Sequence, residues 1–408
     1  MSRLQRLIVM VLAVAVVGPL FVTSASADAG FQKWIRDFYP VAAREGISRS
    51  TYDRAFAGVS TPDQTVLKKA RYQPEFRSSL RKYFSTRVND FAIQKGRKME
   101  ARWRTTLERI ERQFGVDRWT LMAIWSMESS FGYILDKKYA NHNIVRALAT
   151  LAYADPKRKK FGRGQLLAAL KMLERGYIRP DQLKGSWAGG IGHTQFIPGS
   201  YLLYAVDMDG DGRRDIVNSI PDALGTAANL LAKNGWQTGK TWGYEVMVPR
   251  GFNYGLLNDP KFTLGQWSHK GLKRPLGNPF PRPNENAHLK MIAGATGPAH
   301  LMIRNFYVLK RYNNSNKYAL AVGHLADRMR GFGEFATPIP NDNGTPGLSI
   351  AESKDLQRRL KAKGFYEGEI DGNIGSGSKA AILQYQISVG LKADGLPSPK
   401  LLQKMRGG

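Results

Sequence analysis

The run VDRWTLMAIWSMESSFGY, Val116 to Tyr133, sets a carboxyl group among apolar side chains. A helix turns by roughly 100° per residue, so Leu121, Ile124, Trp125 and Glu128 share one stripe. Asp117 stands at the N-cap position and Gly132 is the expected stop. Desolvation raises a carboxyl pKa toward the range in which it hands over a proton, which makes Glu128 a candidate general acid. The alternative is structural: Glu128 at the edge of the stripe, neutralised by one of the many arginines.

A second constellation is Asp207-Met-Asp-Gly-Asp-Gly-Arg-Arg-Asp215. Asp207, Asp209 and Asp211 alternate so that their oxygens converge, Gly212 permits the sharp turn, and the backbone carbonyl of Arg213 takes the seventh position, a hard-oxygen pattern that suits Ca2+. Asn218 holds the twelfth position in place of a bidentate Glu, and Asp215 is expected to complete the shell. The other reading is an acidic surface turn. A calcium sensor needs paired loops, and a single loop points to a structural ion pinning its neighbours. No cofactor for chemistry is expected.

Other chemistries are excluded by pattern. The six His residues never fall at i, i+4 around a Glu, so no zinc-protease helix exists. Gly-x-Ser-x-Gly and phosphate-binding Gly-x4-Gly-Lys runs are missing. Without Cys there is neither disulfide nor thiol chemistry.

These groups need elements to hold them. Phe31, Trp34, Ile35, Phe38 and Ala42 keep helical spacing, Ser48 caps a second helix, and amphipathic helices continue to about Ala149, one of them over Lys95 to Gln113. Lys157 to Lys160 reads as a solvated basic face, followed by a helix near Gln165 to Leu173. SWAGGIGHTQFIPGSY, Ser186 to Tyr201, is too rich in Gly for helix and reads as a loop lining a cleft. The aromatics around it, among them Trp187, Phe196, Tyr201, Tyr204, Trp236, Trp242 and Tyr244, are mostly core, with some ring faces left for sugar. A helix over Asp222 to Lys233 precedes a small strand-rich insertion from Trp242 to Pro283. Helices resume at Ala299 to Leu309 and Lys317 to Arg330. TPIPNDNGTPG has the composition of a linker, and helices over Ile350 to Lys363 and Lys379 to Val389 belong to a compact three-helix module.

The 408-residue chain carries a formal charge of +28. Arg3 and Arg6, the apolar run Leu7 to Val22 and Ala25-Ser26-Ala27 read as an export signal cleaved after Ala27. Its removal takes away two Arg and no acid, so +28 becomes +26. An uncleaved anchor is the alternative. In an exported protein such charge favours anionic envelope polymers or a peripheral membrane surface, with no nucleic acid partner.

Several stretches together resemble the membrane-bound lytic murein transglycosylase B family: QPEF (73 to 76), AIWSMESSFG (123 to 132), ALATLAY (147 to 153), SWAGGIGHTQFIPGSY with AVDMDGDG, NGW (234 to 236) and NFYVLKRYNNSNKYALAVGHL (305 to 325). The resemblance implies a mainly α, lysozyme-like catalytic domain with a small β-containing insertion. It also implies cleavage of the glycan between N-acetylmuramic acid and N-acetylglucosamine to leave a 1,6-anhydromuramoyl end, in the periplasm. By the same resemblance Glu128 is the single acid and base, Ser186, Gln195, Tyr312, Asn313 and Tyr318 contact substrate, and the Asp207 to Asp215 loop holds calcium. Leu230 stands where the family carries a Tyr. LQRRL, GFYEGEIDGNIG, AILQYQ and GLKADG are similar to the peptidoglycan-binding domain of wall hydrolases, with Asp371-Gly372 and Asp394-Gly395 marking turns. The expected organisation is a signal at 1–27, a catalytic domain at 28–336, a linker at 337–348 and a binding domain at 349–408. The expected partner is the peptidoglycan glycan strand, met by a monomer. A water-using muramidase and a non-catalytic wall-binding scaffold are the alternatives.

Overall fold

The helix Arg118–Ser129 is apolar on nearly every side, and it is accordingly buried on nearly every side: Leu121, Met122, Ala123, Ile124, Trp125 and Met127 all lie in the main core. The computed structural model describes residues 28–71, 79–135, 141–253, 256–257, 262–294, 296–340, 348–391 and 393–407. The export signal, QPEF and most of the expected linker fall outside these residues. No described helix is long and apolar enough to cross a membrane.

The chain is mainly helical, as expected. Helices Ala29–Arg44 and Arg49–Phe56 start on side-chain caps from Asp28 and Ser48, which accept from the N–H groups of Phe31 and Thr51. The helix expected over Lys95 to Gln113 is instead two, Asp90–Arg102 and Arg104–Phe114. At Trp103 one N–H is shared between the carbonyls of Met99 and Glu100, a bifurcated bond that ends the first helix. Ile144–Ala154 and Lys159–Glu174 pack against each other, and the helices Ile220–Lys233 and Asn316–Arg330 complete the bundle around Arg118–Ser129. Lys157, Lys159 and Lys160 are exposed, as a solvated face should be. Arg158 is half-buried, paired with Asp155 at 3.1 Å and lying over the Trp187 ring.

Among the described residues two antiparallel sheets interrupt the helices. In the smaller, β1 (His142–Asn143) pairs with β2 (Lys184–Gly185), His142 opposite Gly185. The larger has the order β3-β6-β5-β4, with β3 at Gly243–Val246, β4 at Phe262–Thr263, β5 at Asn286–Lys290 and β6 at Ala299–Met302. This insertion reaches beyond Pro283, and Ala299 to Met302 are strand where helix was expected. The reason is tertiary: all four residues of β6 are buried and both edges are paired, so the sheet overrides local propensity. The helix starts only at Arg304 and runs to Tyr312. Trp267 anchors the sheet's own core and donates its indole N–H to Ala287 O at 2.9 Å.

The C-terminal module has three helices, Ile350–Ala362, Ser376–Ser388 and Pro399–Gly407. Each Asp-Gly turn is clamped by a buried glutamine from the helix before it. Gln357 accepts from Gly372 N at 2.7 Å and donates to Asp371 at 3.1 Å; Gln386 accepts from Asp394 N and Gly395 N and donates to Asp394 at 2.8 Å.

His300 on β6 and His324 on the Asn316–Arg330 helix both press against Phe335, with ring centroids 4.9 and 3.7 Å away. Burial depresses each imidazole to a pKa of about 3; for His300 the neighbouring His324 adds to the effect, and for His324 Arg328 does. Both are therefore neutral when folded, while an unfolded imidazole titrates near 6.5. Depressed folded values mean that this contribution to stability is full above pH 6.5 and is lost as pH falls toward 3. The melting temperature is expected to drop progressively between pH 6.5 and 4, and His324→Gln to flatten that slope; an unchanged slope in thermal scans across this range would refute the assignment.

Candidate active site

Asp117 starts the Glu128 helix as expected, its carboxylate accepting from Thr120 N at 3.0 Å and Thr120 Oγ1 at 2.7 Å. The helix ends earlier than Gly132. Its last helical residue is Ser129, and Ser130, Phe131 and Gly132 follow with φ of 50°, 61° and 84°. Two non-glycine residues in succession are thus held in the left-handed region, a local cost that surrounding contacts must offset. Lys95 donates to Ser130 O at 3.1 Å, Arg87 donates to Met127 O at 3.0 Å, and Ser129 Oγ accepts from Gly132 N at 2.9 Å. These bonds also satisfy carbonyls that a helix end leaves unpaired, and the two cations complement its dipole. Gly132 has a further reason: a Cβ there would lie 2.6 Å from the His193 ring.

Glu128 emerges half-buried beside this turn, at a cleft of about 380 Å³ lined also by Arg87, Asn89, Phe91, Ser126 and Phe131. Among the described residues lining it, Glu128 is the one carboxylate. Tyr318 donates its hydroxyl to Glu128 Oε1 at 2.6 Å. The Tyr312 and Tyr318 rings are stacked 6.3 Å apart, and Tyr312 donates to Thr194 O at 2.6 Å. Burial first, and then the charge of Glu128, push both phenols well above their ordinary pKa, so both remain donors.

Thr194 belongs to the Gly-rich segment, which is a loop as its composition requires. It is tied to the Glu128 helix at His193, whose carbonyl accepts from Ser129 Oγ at 2.6 Å and whose Nδ1 accepts from the Trp125 indole at 3.2 Å. Ser186 Oγ accepts from Gly190 N at 2.8 Å, and Gln195, itself at φ 49°, donates to Gly192 O at 2.8 Å. Both side chains flank Gly190. Gly185 is required by close approach, since a Cβ would lie 2.0 Å from Gly190 O.

The structure therefore joins Glu128 to Tyr318, which stacks on Tyr312; Ser186 and Gln195 flank Gly190 in the loop and, like the two tyrosines, are not among the residues lining the Glu128 cleft. Asn313 caps the helix Arg304–Tyr312 and gives its carbonyl to Ser315 N at 2.7 Å; it does not line the Glu128 cleft. Leu230 is buried in the core. Sequence reasoning did not single out Arg87, Asn89 and Phe91, which sit together where two successive helices meet but lie far in chain from Glu128, or Phe131 in the strained turn. His193 had a readable signal, its place in the Gly-rich segment, but no spacing tied it to Trp125.

The Asp-rich segment is a loop whose carboxylates do converge, with one substitution in the expected set. Asp207, Asp209, Asp211 and Asp222 bring one oxygen each to within 4.8 Å of the others, an arrangement able to hold a metal ion. Asp215 is not in the group: its Oδ1 accepts from Val217 N and Asn218 N at 2.9 Å each, capping the next turn. Asp222, fully buried, takes its place and accepts from Met208 N at 2.6 Å and Asp215 N at 2.7 Å. Burial pushes the Asp222 carboxyl up against the opposing pull of those N–H groups. The loop reaches the cleft through Ile216, whose carbonyl accepts from His193 N at 3.0 Å.

Known proteins place this arrangement. The transglycosylase SLT domain profile matches residues 30–327, and the peptidoglycan binding domain profile matches residues 350–405. Membrane-bound lytic murein transglycosylase B of Escherichia coli is 33% identical over 257 residues, which are 61% of this chain and 66% of that protein, just under two thirds. The crystal structure of SltB3 from Pseudomonas aeruginosa in complex with NAG-NAM-pentapeptide superposes with a TM-score of 0.86 at 41% identity, covering 93% of this chain and all of that one. Slt35 of Escherichia coli in complex with calcium superposes with a TM-score of 0.60 at 25% identity over 75% of this chain and 94% of its own. The chain belongs to the transglycosylase SLT family and carries a peptidoglycan-binding domain at its C-terminal end.

Proposed function

We propose that this chain is a lytic transglycosylase that cleaves the β-1,4 bond between N-acetylmuramic acid and N-acetylglucosamine in peptidoglycan without water, leaving 1,6-anhydromuramoyl ends. The observation that carries the reading is that Glu128 is the one carboxylate among the described residues lining its cleft. Glycosidases that use water place a second carboxylate about 5–5.5 Å or 6.5–9.5 Å from the first, as nucleophile or as base. Here one acid must serve both half-reactions. Family membership and the bound NAG-NAM-pentapeptide of the SltB3 structure support the substrate.

In the first step Glu128, protonated, gives its proton to the glycosidic oxygen as the bond from C1 to that oxygen breaks. In the second, the carboxylate takes the proton of the muramoyl 6-hydroxyl while O6 bonds to C1. The acid is regenerated and no water is consumed. Tyr318 holds the carboxyl group through its 2.6 Å bond, and Tyr312 fixes the loop opposite. Ser186, Gln195 and Asn313 are the further substrate contacts of this reading.

Asp207, Asp209, Asp211 and Asp222, with the Arg213 carbonyl, would supply the hard-oxygen set for a calcium ion; the reading is supported by Slt35, 25% identical, whose structure is in complex with calcium. Such an ion would neutralise the carboxylate charge gathered in the loop. By the same proposal residues 28–336 are the catalytic domain, 337–348 the linker and 349–408 the binding domain, and the chain acts in the periplasm after loss of residues 1–27.

Glu128→Gln is expected to lower turnover by about 10²–10⁴-fold or more while binding to isolated sacculi persists; undiminished turnover would falsify the assignment. Mass spectrometry of products from purified sacculi should show anhydro ends, and reducing ends alone would assign a water-using muramidase instead. For the metal, a chelator is expected to lower the melting temperature and added Ca2+ to restore it. A protein carrying Asp207→Ala and Asp211→Ala should melt at one temperature in either buffer, and a wild type indifferent to the chelator would remove the ion from this reading.

A further inference from the structure

A hollow larger than the Glu128 cleft lies elsewhere in the described structure. A groove of about 870 Å³ opens at the opposite ends of the two helices that carry Glu128 and Tyr318, where Asp117 caps one and Arg330 lies in the last turn of the other. Arg330 donates to Asp117 at 2.8 Å and so joins the two helix ends. Eleven residues of helix separate Asp117 from Glu128, roughly 16 Å at about 1.5 Å per residue. A small ligand in the groove is clear of the proposed reaction centre.

The opposite wall comes from the larger sheet, through Tyr244 on β3 and the turn that holds Arg274 and Leu276. Trp236 and Phe332 line the same hollow, Phe332 being 59% exposed and Leu276 87% exposed, while Trp242 is buried in its wall and Tyr244 carries Arg274 on one face. Ring faces in a concave wall with polar groups between them suit the apolar faces of sugars.

Charge narrows the ligand further. The lining acids are engaged within the protein: Asp117 by Arg330, Asp327 by the Trp242 indole at 2.8 Å, Glu245 by Ala336 N and Thr337 N, and Glu334 by Arg328. Lys240 and Arg282 both pair with Glu285 at 2.9 Å. Arg274 is different. It donates to Pro279 O at 3.1 Å, lies 5.5 Å over the Tyr244 ring, and faces no carboxylate among the described residues. A guanidinium laid on an aromatic face, with one nitrogen on a backbone carbonyl and no carboxylate partner among the described residues, has N–H groups left to bind a planar carboxylate.

We propose that this groove is a second glycan-binding site, which takes a carboxylate-bearing, peptide-substituted stretch of peptidoglycan with its sugars on the rings and an acid group on Arg274. The inference rests on the substrate class proposed above. Its consequence is a preference for long strands, because engagement of the second site is intramolecular once the first is filled.

The test uses the full-length chain carrying Glu128→Gln, so that no strand is cut, titrated with fluorescein-labelled, peptide-bearing glycan strands and separately with neutral chitotetraose. Adding Arg274→Glu is expected to weaken strand binding about tenfold, and Arg274→Lys to keep it within about threefold. The Kd for chitotetraose stays unchanged in both. Undiminished strand affinity in the Arg274→Glu protein, or an equal loss for chitotetraose, overturns the proposal. So does displacement of strands by polyglutamate as effective as by unlabelled glycan, which would assign the groove to an acidic protein. Binding is read without turnover, so a wild type that yields no anhydro product would sink the lytic reading and leave this test standing.

Discussion

A carboxyl group kept half out of water must be given hydrogen-bond donors or lose its charge. Glu128 meets that demand with the Tyr318 hydroxyl at 2.6 Å, and much of the surrounding structure follows from it. Tyr318 is available only because the Asn316–Arg330 helix packs along Arg118–Ser129 over their length. Tyr312 stacks on Tyr318 and spends its own proton on the Thr194 carbonyl, so the Gly-rich loop is positioned by the same pair of phenols that faces the acid. The burial that raises both phenols keeps them protonated, and so donors, at neutral pH.

The loop is held from a second direction by the helix itself. Trp125 and Ser129, one turn apart, both reach His193, while Ser130 and Phe131 are forced through left-handed backbone to bring Gly132 under the His193 ring. Strain of this kind persists only where neighbours over-determine it, and here Lys95, Arg87 and the Ser129 hydroxyl do so. A third tie, from His193 N to Ile216 O, runs to the Asp-rich loop. Order in that loop is therefore transmitted to the cleft by backbone, without a metal ligand approaching Glu128.

What could be read from sequence was what local chemistry decides. Caps at Asp117 and Ser48, the amphipathic helices, the Gly-rich loop and the three-helix module all follow from residues within a few positions of one another. One misreading has its cause in long-range pairing: Ala299 to Met302 carry helix-compatible residues, yet two neighbouring strands claim them. Asp222, seven positions beyond Asp215, joins the acidic group through its inward turn, which no loop spacing encodes. The site itself was legible in part: Glu128 and the tyrosines carry a family pattern, whereas Arg87 and Phe91 enter the cleft from helices whose packing no local spacing encodes.

The buried glutamines of the C-terminal module show how a small domain replaces core size with polar precision. A module of this length buries few apolar side chains, and its cluster rests on residues such as Leu356, Leu360, Ile382 and Leu402. Gln357 and Gln386 each use both ends of the amide to fix an Asp-Gly turn in its left-handed glycine conformation, φ 80° at Gly372 and 65° at Gly395. An amide half-satisfied in that position would cost about 1–3 kcal/mol, so each clamp is all-or-none. The first clamp extends to the following helix, since Gln357 also donates to the buried Ser378 hydroxyl at 3.2 Å and so ties the turn to the start of that helix.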